Sequence, residues 1–258
     1  MQIYVCVKHV PDSAVNITII DKSHIDENVT FLLNPYDEHA VTEAVRIRDA
    51  CQENSEVIVV CLGKADAENT IRSALAMGAD RGLLIVSNEE HDSIETARAL
   101  KAAMALKKTE KPSLIFTGKE SIDAEGMQTM FRLGALFDFP VATNVTRVDI
   151  EETRAIVVSE LSGGNANTYE LSLPCVIGAG RGLNTPKYPT FPDIVKSRKR
   201  PVEKIAFTDL TIDSPKAGMK IIQLEALKQS RNPKEITGDP GSVAQKILSI
   251  LEQEAKVV

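Results

Sequence analysis

From the first residues to about Thr117, short runs rich in Val, Ile and Leu alternate with segments whose apolar positions recur at helical spacing. Such alternation is the signature of βαβ units, in which right-handed crossovers lay helices on the faces of a parallel sheet. The strand-like runs are residues 2–8, 57–62 ending at Gly63, 82–86 and 113–117. Between them, Ala40, Val41, Ala44 and Val45 mark a helix from Asp37 to about Ala50. Ile71, Ala74 and Leu75 mark another, over Asp66 to Met77, stopped by Gly78, a residue suited to the left-handed position after a helix. Asp92 followed by Glu95 matches the carboxylate variant of a capping box ahead of a helix over residues 94–106. The expected fold is α/β, three layers built around a parallel sheet.

Three stretches depart from this rhythm. Residues 15–19 and 29–33 flank a polar segment and predict a hairpin laid over the core. After Pro140, residues 142–148, 154–160, 167–173 and 175–178 follow one another without intervening helices, which predicts antiparallel edge strands. From Arg181, the residues Pro186, Pro189, Pro192, Pro201, Pro215, Pro233 and Pro240 interrupt regular structure and predict an extended C-terminal arm. The end is helical again, with Ser242 and Gln245 as a capping box and a stripe of Val243, Ile247, Leu248 and Leu251. The expected division is an α/β domain over 1–180 and an arm over 181–258.

Composition removes several function classes. No apolar run approaches the ~18 residues of a membrane span, so no membrane insertion is expected. The first residues enter a strand with no leader-like pattern, which predicts a cytoplasmic or matrix protein. Cys6, Cys51, Cys61 and Cys175 lie far apart, predicting free thiols with neither a metal site nor a disulfide framework. A formal net charge of -6 and the lack of Trp give no footprint for nucleic acid. The local run Lys196-Ser197-Arg198-Lys199-Arg200 reads as a solvated face. His9, His24, His39 and His91 are dispersed, and no Ser-His-Asp or Cys-His set can be argued.

Chemistry in such a fold belongs at the carboxyl edge of the sheet. The strand over 113–117 opens there into Gly118-Lys119-Glu120-Ser121-Ile122-Asp123-Ala124-Glu125-Gly126-Met127-Gln128-Thr129. Gly118 would let backbone approach a bound group, and Ser121, Gln128 and Thr129 with a helix start would offer donors to a phosphate. An ordinary polar loop is the other reading. No G-x-G-x-x-G follows the first strand and no P-loop motif is present, which disfavours a standard dinucleotide site or ATPase. Asn34-Pro35-Tyr36-Asp37-Glu38 is either a turn with a helix cap or a second polar loop at the same edge.

Five separated motifs, in order, resemble the electron-transfer flavoprotein β-subunit family: residues 7–12 (Val-Lys-His-Val-Pro-Asp), 34–41, 74–81, 118–129 and 183–188. The resemblance spans about the first 200 residues. It implies an adenine-nucleotide-binding, Rossmann-like domain, a larger α-subunit partner carrying the redox-active FAD, and a structural AMP. The implied AMP contacts are Cys6, Asn34, Pro35, Tyr36, Asp37, Cys61 and the loop from Gly118 to Thr129. The segment 181–199 is similar to the family's recognition loop, which docks on an acyl-CoA dehydrogenase-type flavoenzyme. Tyr188, Phe191, Pro192, Ile194 and Lys196 would then bind the partner, with Phe191 at an anchor position where leucine is usual. Glu160 matches a flavin-proximal glutamate, followed here by Ser162-Gly163-Gly164 where the family has Asp-Gly-Gly. The implied role is an electron carrier subunit that catalyses no bond chemistry alone. Members that bind a second FAD and oxidise NADH carry other sequences at residues 124–131, so AMP is favoured over that alternative. A nucleotide-sensing module of the same fold is a third reading.

Overall fold

Both faces of the first strand are apolar because both are buried. In β1 (Gln2–Val7), Ile3, Val5 and Val7 enter one core layer and Tyr4 and Cys6 the other, as the period of two requires. The computed structural model describes residues 1–51, 54–106, 111–212, 218–219, 221–226 and 233–256. After β1 come a short hairpin, β2 (His9–Pro11) and β3 (Phe31–Leu33), then α1 (Pro35–Ala50) and β4 (Glu56–Gly63). Then follow α2 (Glu68–Met77), β5 (Arg81–Val86), α3 (Ser93–Met104), β6 (Leu114–Gly118) and α4 (Thr129–Phe137). The second half contributes β7 (Val141–Ile150), β8 (Arg154–Glu160), β9 (Ala166–Ser172), β10 (Cys175–Ala179), α5 (Phe191–Ser197), β11 (Val202–Ala206) and α6 (Pro240–Ser249).

Among the described residues the main sheet has nine strands in the order β11-β5-β4-β1-β6-β10-β7-β8-β9. It is parallel from β11 to β7 and antiparallel over β7, β8 and β9. Ala40, Val41, Ala44, Ile71, Ala74 and Leu75 of α1 and α2 pack on one face. Ala97, Leu100, Met104, Met130 and Leu133 of α3 and α4 pack on the other. The α/β three-layer expectation therefore holds. Each fully buried aliphatic side chain of these layers contributes roughly 1.5–3 kcal/mol.

Several local expectations are corrected. The hairpin pairs His9 with Leu33 and Pro11 with Phe31, while residues 15–19 make only an isolated bridge, Ile19 to Ile25. The apolar alternation at 15–19 lost to pairing adjacent to β1, where Val10 and Leu33 are buried. Residues 175–179 do not extend the antiparallel edge. They return between β6 and β7, parallel to both, because every residue of β10 is apolar or Gly and buried. The proline-rich stretch contains α5, and β11 adds to the main sheet beside β5; Pro215 lies outside the described residues. Among the described residues from 211 onward there is no regular element until α6. Helix α6 is capped by Asp239, whose side chain accepts from the N–H groups of Gly241 and Ser242, rather than by Ser242 and Gln245. Asp92 caps α3 as read, accepting from Ile94 and Glu95 at 2.8 and 2.9 Å.

Strand order sets the place of the site. From β1 the chain steps outward to β4 and β5, then returns to lay β6 on the other side of β1. The carboxyl ends of β1 and β6 thus flank the topological switch point.

Candidate functional site

Asp37 fills this crevice. It sits in the first turn of α1 and is buried. Its Oδ2 accepts the N–H of Lys8, just past β1, at 2.8 Å, and its Oδ1 accepts the N–H of Gly118, the end of β6, at 2.9 Å. One carboxylate therefore satisfies two strand-end donors at a helix N-terminus, where negative charge is favoured. Burial nonetheless pushes its pKa up to about 7, against the lowering effect of those bonds.

Gly118 is required by this packing. A Cβ there would lie 2.4 Å from Asp37 Oδ1 and 2.6 Å from Tyr36 Cβ. The close approach is to α1, so the glycine is already explained without any bound group. Asn34 stands at the N-cap position of α1, yet its side chain makes no cap bond. Instead its Nδ2 donates to the Glu120 carbonyl at 2.9 Å and its Oδ1 accepts the Ile122 N–H at 3.2 Å. Lys8 Nζ closes the same loop onto β1 by pairing with Asp123 at 2.6 Å. The segment 34–37 and the loop 118–129 thus meet at one edge.

The far side of the loop is open. Glu125 and Met127 adopt left-handed backbone around Gly126, where an added Cβ would meet nothing within 4 Å. Residues 123–128 are exposed, and no side chain caps the first N–H groups of α4 after Gln128. Ala124 and Thr129 flank this crest.

Cys6 and Cys61 are buried among the strands beneath the site, Cys6 in the layer under α3 and α4 and Cys61 in that under α1 and α2. Burial and the neighbouring Asp37 charge push both thiols up, Cys61 to about 12. Cys175 is pushed up to about 12 by burial alone. All four cysteines are free, and these three are packing thiols rather than nucleophiles.

The Tyr36 ring, nearly buried at Pro35, lies under two cations: Lys119 Nζ at 5.4 Å and Arg181 Cζ at 5.0 Å from its centroid. Lys119 also pairs with Glu120 at 3.2 Å. Arg181 follows β10, a neighbour of β6 only through the sheet, so nothing local in the sequence signalled it.

Other motifs prove to be joints. Asp80 accepts from Arg48 Nη1 at 2.7 Å and from the Val57 N–H at 2.9 Å. Asn184 Nδ2 donates to the His39 carbonyl and to Glu43 Oε2, both at 3.0 Å, tying the strap after β10 to α1. The structure also assembles a Ser-His-carboxylate chain that sequence spacing did not suggest. Ser87 Oγ lies 2.8 Å from His91 Nε2, and His91 Nδ1 lies 3.2 Å from Glu95 Oε2. The imidazole is stacked on Phe207 at 4.1 Å and its side chain is only 6% exposed, so the set fastens the end of β11 to the sheet.

The strap leads to α5, where Phe191 is the first helical residue instead of part of an extended segment. A capping box between Thr190 and Asp193 starts the helix. Arg72 holds its end, donating to the carbonyls of Ser197 and Arg200 at 3.0 and 2.7 Å. The basic run is thus not wholly a solvated face, since Ser197 is buried and Arg200 Nη1 donates to the Gly78 carbonyl. Tyr188 is 94% and Phe191 77% exposed, and Ile194 and Val195 share the exposed side, with Pro192 and Lys196 beside them. Glu160 ends β8 exposed, its carbonyl accepting from Asn144 Nδ2 at 2.8 Å. No helix among the described residues is long and apolar enough to cross a membrane.

Residues 23–210 match the family described as "Electron transfer flavoprotein domain". The chain is 36% identical over 262 residues to an Arabidopsis thaliana protein named electron transfer flavoprotein subunit beta, mitochondrial, covering all of both chains. It is 30% identical over 260 residues, again across both full lengths, to the subunit beta of Bacillus subtilis strain 168. Against the mouse subunit beta it is 37% identical over 212 residues, covering 81% of this chain and 82% of the other. With the family match covering most of the chain and full-length relatives sharing one subunit name, this chain belongs to the electron transfer flavoprotein family as a β subunit.

Proposed function

We propose that the chain is the non-catalytic half of a two-subunit electron carrier, holding a structural AMP at the loop 118–129 while the redox-active FAD resides mainly in the α subunit. The observation that carries the nucleotide reading is the junction of the switch point with an uncapped helix start. Asn34 and Lys8 fix the near side of the loop, and its far side presents the free N–H groups of α4 beside the open crest at Gly126. Such donors suit one phosphate. Residues 124–131 lack the runs carried by members that bind a second FAD, which supports AMP over a second FAD.

Bound flavin supplies the reversible uptake of electrons; this chain's residues position and dock. Glu160, exposed at the end of β8, is assigned to the flavin-proximal side of the subunit junction. Tyr188, Phe191, Pro192, Ile194 and Lys196 form the docking face for an acyl-CoA dehydrogenase-type flavoenzyme, and the arm and α6 pack on the α subunit. The cytoplasm or an organelle matrix is the proposed location.

The test is co-expression with the α subunit, followed by an absorption spectrum and chromatography of released cofactors. One flavin and one AMP per complex, with little flavin on this chain alone, is the expected result. Tight stoichiometric FAD on the isolated chain overturns the division of labour, and a complex without adenine nucleotide overturns the AMP site.

A further inference from the structure

The positive groups nearest the switch point already have partners within the chain. The N–H groups of Lys8 and Gly118 are spent on Asp37, the Lys8 ammonium on Asp123, and the Lys119 ammonium on Glu120. Arg132 is held by Ser93 and Gln128. Arg181 is the exception. It is exposed, its guanidinium lies over Tyr36, and among the described residues no carboxylate pairs with it.

We propose that Arg181, seated on Tyr36 beside Lys119, is a phosphate-binding residue of the nucleotide site. The inference rests on the nucleotide reading above and adds to it the group that recognises the phosphate charge. Two cations within 5.4 Å of one ring centroid repel each other, and an anion that reaches both offsets that repulsion. Stacking holds the guanidinium plane in place, leaving its N–H fork free to grip a phosphate through paired hydrogen bonds. Lys119 reaches the same anion by exchanging its Glu120 partner. An anion placed at the strand-end N–H groups would instead face the buried carboxylate of Asp37, so the phosphate is placed on the loop 118–129, whose Glu120 and Ile122 are held by Asn34, two residues from Tyr36.

The experiment is calorimetric titration of the αβ complex, freed of nucleotide, with AMP and separately with adenosine. Wild type, Arg181→Ala, Arg181→Lys and the control Arg147→Ala are compared, the last removing an exposed charge on β7. Arg181→Ala should weaken AMP by about tenfold or more while leaving adenosine unchanged. Arg181→Lys should fall between, and Arg147→Ala should match wild type. AMP bound equally by wild type and Arg181→Ala overturns the assignment while leaving the nucleotide site standing. A wild type that binds AMP no better than adenosine also overturns it. Equal loss of both ligands in Arg181→Ala marks a collapsed site and overturns a phosphate-specific role. Failure of the wild type to bind either ligand overturns the nucleotide reading itself, and the inference with it.

Discussion

Asp37 and Gly118 are locked together across 81 residues of sequence: the Gly118 N–H donates to Asp37 Oδ1 at 2.9 Å, and a Cβ at 118 would stand 2.4 Å from that same oxygen. The contact joins α1 to the end of β6 at the switch point, where neither element has room to retreat. Gly118→Ala should therefore destabilise the protein by about 2–3 kcal/mol, the range for overpacking a rigid site. Denaturant unfolding with no nucleotide present checks it. An unchanged midpoint there, with nucleotide lost from the αβ complex, would return the glycine to a role at the ligand.

The same carboxylate carries a pH signature. Its folded pKa stands at about 7, above its ordinary 3.8, so the native state binds the proton more tightly than the unfolded chain. Its contribution is most favourable below 3.8 and declines as pH rises through 7. Carboxylates held low, such as Asp92, Asp193 and Asp239, slope the other way in acid. The difference between wild type and Asp37→Asn isolates the term. The wild-type stability minus that of the variant should fall between about pH 4 and 7, and a flat difference would refute the assignment.

Arg72 supports α5 from below by capping the Ser197 and Arg200 carbonyls. Arg72→Met keeps the aliphatic stem but removes both charge-assisted bonds to these carbonyls together with the ion pair to Glu68, and should cost about 1–3 kcal/mol. Because α5 carries the exposed Phe191, affinity for the flavoenzyme proposed as partner should fall too. Hydrogen exchange at residues 194–200 would read the loosening directly, and unaltered protection would show that α2 packing alone holds the helix.

Phe191 makes little use of its ring within this chain, being 77% exposed. In its proposed role as anchor of a docking face, Phe191→Ala should cost about 2 kcal/mol or more in partner binding, with thermal stability and flavin content unchanged. Titration of the αβ complex against its dehydrogenase, with Phe191→Leu alongside, makes the comparison. Leucine should recover much of the loss. Disrupted αβ assembly in the alanine variant would instead identify Phe191 as a clamp on the α subunit.

The sequence by itself determined the layers. The parallel β1 to β6 core was legible because burial on both faces leaves continuous apolar runs, and because Gly78 and Asp92 mark helix ends chemically. The loop 118–129 was legible as lying at the carboxyl edge of the sheet, where the ligand is proposed, because that edge follows from strand direction alone. Tertiary structure decided what pairs with what. The strand of residues 175–179 looked like the next member of a meander and was placed between β6 and β7, since only a fully buried slot suits five apolar or glycine residues. Gly118 read as room for a ligand, and the fold shows that it is needed already by Asp37 and Tyr36. Arg181 and Lys119 reach the same Tyr36 ring only because β10 lies beside β6. Periodicity reports how each segment is buried, whereas partners remote in sequence are chosen by the packing of the whole chain, and the charges at the edge of this sheet acquire their roles only there.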